Sequence, residues 1–308
     1  MKILIINKKK LMNMLFYIGL LILLSMLIYF VCNNFKSKQT LSPINTFQDV
    51  QQDLTGDGKK DTLQLLNFQN KIDFNIIHSN DNYCLSDAID DKILFSNNNH
   101  WAPNVFLHDI SRDNSPEIII QGSKNNKSTS YIFHWNKKKF DLISSSTNNI
   151  LGILDCKNSK TPECYSISSS VGISSLYSFM LINDTPLDTS HDFFNLPSFD
   201  SVTHFIDLVQ LPYVFDDIPD IFTSTIDKKD LSLLWNLDKE NYSYSFQNAF
   251  FYDYKWNESG EPLFIRWRLS FEKSNLKGPE NDKTELILLM DLKKDNSSYK
   301  IDSIKKVK

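Results

Sequence analysis

Hydrophobic and polar positions follow three different patterns along this chain. From Leu11 to Phe35 no residue is charged, and residues 15–31 are almost wholly apolar. Between about residues 45 and 200 the apolar positions shrink to short runs of β type, at residues 62–66, 118–120, 131–135 and 140–143, separated by clusters of Asp, Asn, Ser and Lys. The polar stretch 136–139 between the last two runs predicts a hairpin turn. Past residue 200 the period changes again. Residues 202–210 and 228–236 predict short helices, the second with Leu231, Leu234 and Trp235 on one side, and Pro212 and Pro219 interrupt the stretch between them. Strands are predicted at residues 242–256, 263–273, 285–293 and 299–304. In the second, Ile265, Trp267, Leu269 and Phe271 alternate with Arg266, Arg268, Ser270 and Glu272, the pattern of a half-buried strand. The predicted fold is therefore an N-terminal transmembrane helix, a mainly β repeat region over residues 45–200, and a small α+β domain over residues 201–308.

The clusters between the apolar runs have their own order. Asp53, Thr55, Asp57 and Asp61 place side-chain oxygens at positions 1, 3, 5 and 9 of a nine-residue segment, with the Lys59 carbonyl at position 7. Such spacing suits a hard, oxygen-liganded cation such as Ca²⁺, and Gly56 and Gly58 permit the turns that a wrapped loop requires. The segment recurs with Asp109, Ser111, Asp113 and Glu117 as side-chain donors and the Ser115 carbonyl at position 7. An EF-hand is excluded, because that loop needs a Glu at position 12 and flanking helices. Position 12 here is Gln64 in one copy and Ile120 in the other, and β-type runs follow both.

These two loops resemble the calcium loops of FG-GAP/VCBS-type repeats, the blade repeats of β-propellers. The resemblance covers about residues 45–185 and implies a four-stranded, propeller-blade-like unit following each loop, with Ca²⁺ pinning it. A third copy runs from Asp155 to Glu163, giving a repeat of roughly 50 residues. Its chemistry is degenerate: Lys157 stands at the third position and Ser159 at the fifth, so no cation is expected there. Cys156 and Cys164 take positions 2 and 10, and two alternatives follow: a Cys156–Cys164 disulfide closing this loop where calcium closes the others, or two free buried thiols. The element order of residues 201–308 is similar to that of small cystatin-like or nuclear-transport-factor-like cones.

About 20 apolar residues span a bilayer core, so residues 11–32 are expected to be a single-pass anchor. Lys2, Lys8, Lys9 and Lys10 precede the segment and Lys36 and Lys38 follow it. That asymmetry places a short tail, residues 1–10, in the cytoplasm and the rest outside. The apolar core is longer than that of a cleaved signal peptide, and Tyr29, Phe30 and Val31 offer no small-residue cleavage site. Residues 1–40 carry six lysines and no acid, so the net charge of −4 leaves −10 for the remainder. An acidic exterior suits cation loops and argues against nucleic acid, whose affinity comes from Lys and Arg on phosphates.

Enzymatic motifs are scarce. There is no G-x-S-x-G elbow, H-E-x-x-H helix or phosphate-binding Gly loop, and the six histidines, at 78, 100, 108, 134, 191 and 204, show no ligand spacing. No catalytic residue is assigned. The aromatic run 250–256 reads as a strand packing into a core. The function expected from the sequence is binding or scaffolding at a bacterial cell surface, with an unknown protein or glycan as partner. The alternatives are an extracytoplasmic hydrolase using the repeats as a platform, and a structural envelope component.

Overall fold

The run Ile118, Ile119, Ile120 contains no polar alternate, and the structure explains why: its strand lies in the middle of a stack of sheets. The computed structural model describes residues 16–23, 25–26, 49–155, 161–190, 196–214, 217–279 and 282–307. Contacts divide the chain into Met1–Thr40 and Leu41–Lys308. In the first of these, residues 16–23 and 25–26 are helical and exposed. No helix among the described residues is long and apolar enough to cross a membrane, and the remainder of the predicted span 11–32 lies outside the described residues.

Within Leu41–Lys308 the architecture is mainly β. The first sheet is a meander of β1 (Val50–Gln52), β2 (Asp61–Phe68), β3 (Lys71–His78) and β4 (Asp81–Cys84), with the short β5 (Phe95–Ser96) on the other end of β3. The second is a meander of β6 (Asn104–His108), β7 (Glu117–Lys124), β8 (Lys127–Trp135) and β9 (Phe140–Ser146). A third meander, β10 (Ile150–Leu154), β11 (Glu163–Ile167), β12 (Tyr177–Ile182) and β13 (Thr185–Asp188), forms half of an eight-stranded sheet. The other half is β14 (Tyr242–Trp256), β15 (Pro262–Asn275), β16 (Lys283–Asp295) and β17 (Ser298–Lys306). The halves join through a parallel pairing of β10 with β14.

One expectation is corrected here. Each acidic loop does not precede its four-stranded unit but lies inside it, joining the first strand to the second. The units are blade-like meanders, and the third continues into the C-terminal strands. The eight-stranded sheet thus runs across residue 200 and unites residues 45–200 with 201–308.

Burial follows from this stacking. Ile118 and Ile120 share one apolar cluster with Leu63, Phe74 and Ile76 of the first sheet. Ile119 faces the opposite way, into a cluster with Leu151, Ile153 and Phe250 of the third. A strand covered on both faces needs no polar alternation. Phe106 of β6 and Phe250 of β14 stack with centroids 3.7 Å apart and planes 12° from parallel. The far face of the eight-stranded sheet is covered by α1 (Phe199–Gln210) and α2 (Lys228–Trp235). α1 turns Val202, Phe205, Ile206 and Val209 onto Phe251, Trp267 and Leu269, and the side chain of Asp227 caps α2 by accepting the Lys229 N–H at 2.8 Å. Gly152 makes the parallel β10–β14 pairing possible: a Cβ there would lie 2.2 Å from the ring of Phe251.

Candidate metal-binding loops

The three loops are closed in one register. The residue before the first acid pairs with the ninth position each time: Gln52 with Asp61, His108 with Glu117, and Leu154 with Glu163. The first two loops also share a backbone conformation. Left-handed φ occurs at positions 4 and 6 in both, at Gly56 (74°) and Gly58 (83°), then at Arg112 (64°) and Asn114 (73°). Glycine enters this region without steric cost, whereas Arg does not, so the second loop holds its shape through side-chain bonds.

Those bonds repeat. The first acid accepts the position-6 N–H, Asp53 from Gly58 at 2.8 Å and Asp109 from Asn114 at 3.2 Å. The fifth-position acid accepts the position-7 N–H, Asp57 from Lys59 and Asp113 from Ser115, both at 2.8 Å. The ninth-position acid reaches back to the position-2 N–H at 2.7 Å, Asp61 to Leu54 and Glu117 to Ile110. Buried carboxylates must be satisfied in this way, and Asp61 and Glu117 are almost fully buried. Thr55 and Ser111, the third-position donors, both contact this ring of acids. The Thr55 N–H bonds Asp53 at 3.3 Å, and the Ser111 hydroxyl lies 3.5 Å from Asp109 Oδ1.

Sequence reasoning missed the histidines. His78 at the end of β3 donates from Nδ1 to Asp61 at 2.7 Å, and His134 in β8 donates from Nδ1 to Glu117 at 2.8 Å. Both lie 17 residues beyond the acid they hold, a recurrence that a search for ligand spacing within each loop does not reveal. The bond to Glu117 raises the His134 pKa against the opposing effect of burial. In the third meander Met180 stands opposite Glu163. That acid accepts instead from the Tyr165 hydroxyl at 2.7 Å and from the Thr189 hydroxyl. His108, just before the second loop, is buried with Nε2 lacking a partner, and burial, then Arg112, push its pKa down to about 4.

The loops lie side by side. A Cβ on Gly56 would meet Ser115 Oγ at 2.4 Å, so the first loop touches the second. Arg112 of the second loop pairs with Asp155, the first acid of the third. The Asp155 N–H in turn donates to Asp253 of β14 at 2.7 Å. Burial holds the Asp155 carboxyl up at about 6, although Arg112 acts in the other direction.

In both loops the carboxylates face the loops' own N–H groups. In the second loop burial raises the Asp109 pKa, and the nearby charges of Glu117 and Asp113 add to it, a crowding of acids that a cation would relieve. Among the described residues, the acids and imidazoles whose ligand atoms gather within 4.8 Å of one another are Asp113, His134 and Asp184, only the first of which was expected in a metal site. Cys164 is a free thiol buried between Ile153 and Phe179, with its pKa raised by burial. Cys156 lies outside the described residues.

A cleft of about 730 Å³ lies elsewhere. It lies between the first and second meanders and is lined by Asp91, Lys124, Tyr131 and Thr147. Lys124 Nζ donates to Asp91 at 2.9 Å and to the Tyr131 hydroxyl at 3.3 Å. Lys124 ends the strand that Glu117 begins, so at about 3.3 Å per residue the cleft is roughly 23 Å from the loops. The chain matches no family model, no curated protein and no solved structure.

Proposed function

We propose that this chain is a membrane-tethered, extracytoplasmic β-repeat protein stabilised by Ca²⁺, serving to bind or scaffold at the cell surface. The observation that carries this reading is the repetition, in two touching loops, of one backbone conformation and one ring of three acids. In each loop Ca²⁺ would be held by the side chains of positions 1, 3, 5 and 9 and the carbonyl of position 7, taking over lone pairs of carboxylates now facing N–H groups. Loops at one end fix how successive meanders stack. The opposite end, with its cleft between the first and second meanders, is left to a partner.

The test is calorimetric titration of the detergent-solubilised chain with CaCl₂, together with thermal melts in Ca²⁺ and in EGTA. Exterior sites of this kind have dissociation constants on the order of 10⁻⁴–10⁻³ M. At about 1 mM Ca²⁺ each site would add roughly 0.4–1.4 kcal/mol. Heat of binding lost on replacing both Asp53 and Asp109 by Asn supports the reading. No heat, with no difference between the two melts, overturns it.

A further inference from the structure

We propose that Asp113, His134 and Asp184 form a binding site for one divalent cation of the zinc class, shared between the second and third meanders. Their ligand atoms already lie within 4.8 Å of one another. Metal–ligand distances of about 2.0–2.2 Å then need only small rotations of the two carboxylates, both on exposed residues.

The imidazole is fixed before any metal arrives. His134 is 2% exposed, and its Nδ1 is held by the buried carboxylate of Glu117 at 2.8 Å. That bond orients the ring and turns Nε2 outward, 3.2 Å from Asp184 Oδ1. A carboxylate behind an imidazole, with the other nitrogen facing the ion, is the usual outer-shell support of a metal-bound histidine. Asp113 comes from the second acidic loop. Asp184 comes from the two-residue turn between β12 and β13, where Asn183 and Asp184 both have left-handed φ (48° and 60°). The donors therefore belong to three separate segments of chain.

The donor chemistry selects the ion. Ca²⁺ takes six to eight oxygens, whereas one imidazole nitrogen and two carboxylates, open to water, suit a borderline ion such as Zn²⁺. The first meander supplies a contrast. His78 is held by its acid in the same way, but its neighbour is the ring of Trp135, with centroids 5.9 Å apart. Asp113 is also a donor of the second calcium loop, so a zinc ion here draws it out of that set and ties the β12–β13 turn to the loop.

The test uses the full chain in detergent, stripped with EDTA and titrated with ZnCl₂ in the absence of Ca²⁺. One Zn²⁺ per chain is expected, and Asp184→Asn should weaken it at least tenfold. Asn tolerates the left-handed turn, so the metal-free melting temperature of that variant should match that of the parent. Anomalous diffraction at the zinc edge should place the ion between Asp113 and Asp184. Asp57→Asn in the first loop should leave zinc binding unchanged. Failure to bind one equivalent of Zn²⁺ overturns the proposal, as does binding that Asp184→Asn and His134→Gln both leave unaltered. Since Ca²⁺ is absent throughout, neither result bears on the calcium reading.

Discussion

His134 Nδ1 lies 2.8 Å from Glu117 Oε1, a carboxylate with no exposure to solvent. The pair locks β8 to the start of β7, where the second loop closes. The His78–Asp61 pair does the same for the first loop, with His78 less buried than His134. Removing one partner of such a pair deprives a buried carboxylate of its only side-chain donor among the described residues and leaves it backbone N–H groups alone, which costs about 3–5 kcal/mol when burial is complete. His134→Leu should therefore destabilise the protein by roughly 3 kcal/mol, and His78→Leu by clearly less. Urea denaturation of the two variants measures this, and equal losses would show that burial does not set the cost.

Gly56 and Gly58 separate backbone strain from contact between loops. Both have left-handed φ, but only at Gly56 does an added Cβ meet a neighbour, Ser115 Oγ. Gly58→Ala should cost about 1 kcal/mol, the strain of the left-handed region. Gly56→Ala should cost roughly 1–3 kcal/mol more through overpacking. Pairing Gly56→Ala with Ser115→Ala should recover part of that excess. Thermal melts of the three variants decide it, and identical losses at the two glycines would mean that the loops do not touch.

Much of this arrangement was legible in the sequence. The strict alternation at Ile265–Phe271 located β15, whose apolar face meets α1, but not the burial of Arg268 and Ser270 on its other face, and the apolar side of residues 228–236 located α2. The loops were visible because their acids recur at fixed spacing. What was hidden lies in contacts between segments. That each loop joins the first and second strands of its unit depends on the leading strands β1, β6 and β10, which are only three to five residues long. Left-handed geometry at Arg112 was invisible because Arg does not favour that region. The bonds from His78 and His134 cross a hairpin, and Asp184 meets His134 only when the meanders stack. Phe250 and Phe251 were legible as core, but not that they face opposite ways.

Asp155 should make stability fall with pH in the acid range. Its carboxyl is raised to about 6 in the folded chain against 3.8 for an ordinary aspartate, so between these values the folded state holds a proton that the unfolded state has released. Stability from this group is complete below about pH 4 and is lost as pH rises through 6, by up to about 3 kcal/mol. Asp155→Asn has no such loss. Its stability relative to the parent should therefore rise between pH 4 and 7, as read by urea melts across that range. A difference between the two proteins that stays constant with pH would rule the assignment out.

Residues 45–200 and 201–308 should unfold together. Phe106 stacks on Phe250 across the interface between the second and third sheets, and the β10–β14 pairing, Ile150 with Ala249 through Ile153 with Tyr252, continues the sheet itself across residue 200. Truncating either ring to Ala removes a buried aromatic at a cost of about 3–5 kcal/mol. The pair should also show a coupling of about 0.5–1.5 kcal/mol beyond its buried area. Calorimetry should show one transition for Leu41–Lys308, lowered as a whole in Phe106→Ala, Phe250→Ala and the double variant. If Phe106→Ala shifted only an early transition and left a second one in place, the two regions would be independent folding units and the shared sheet would not couple them.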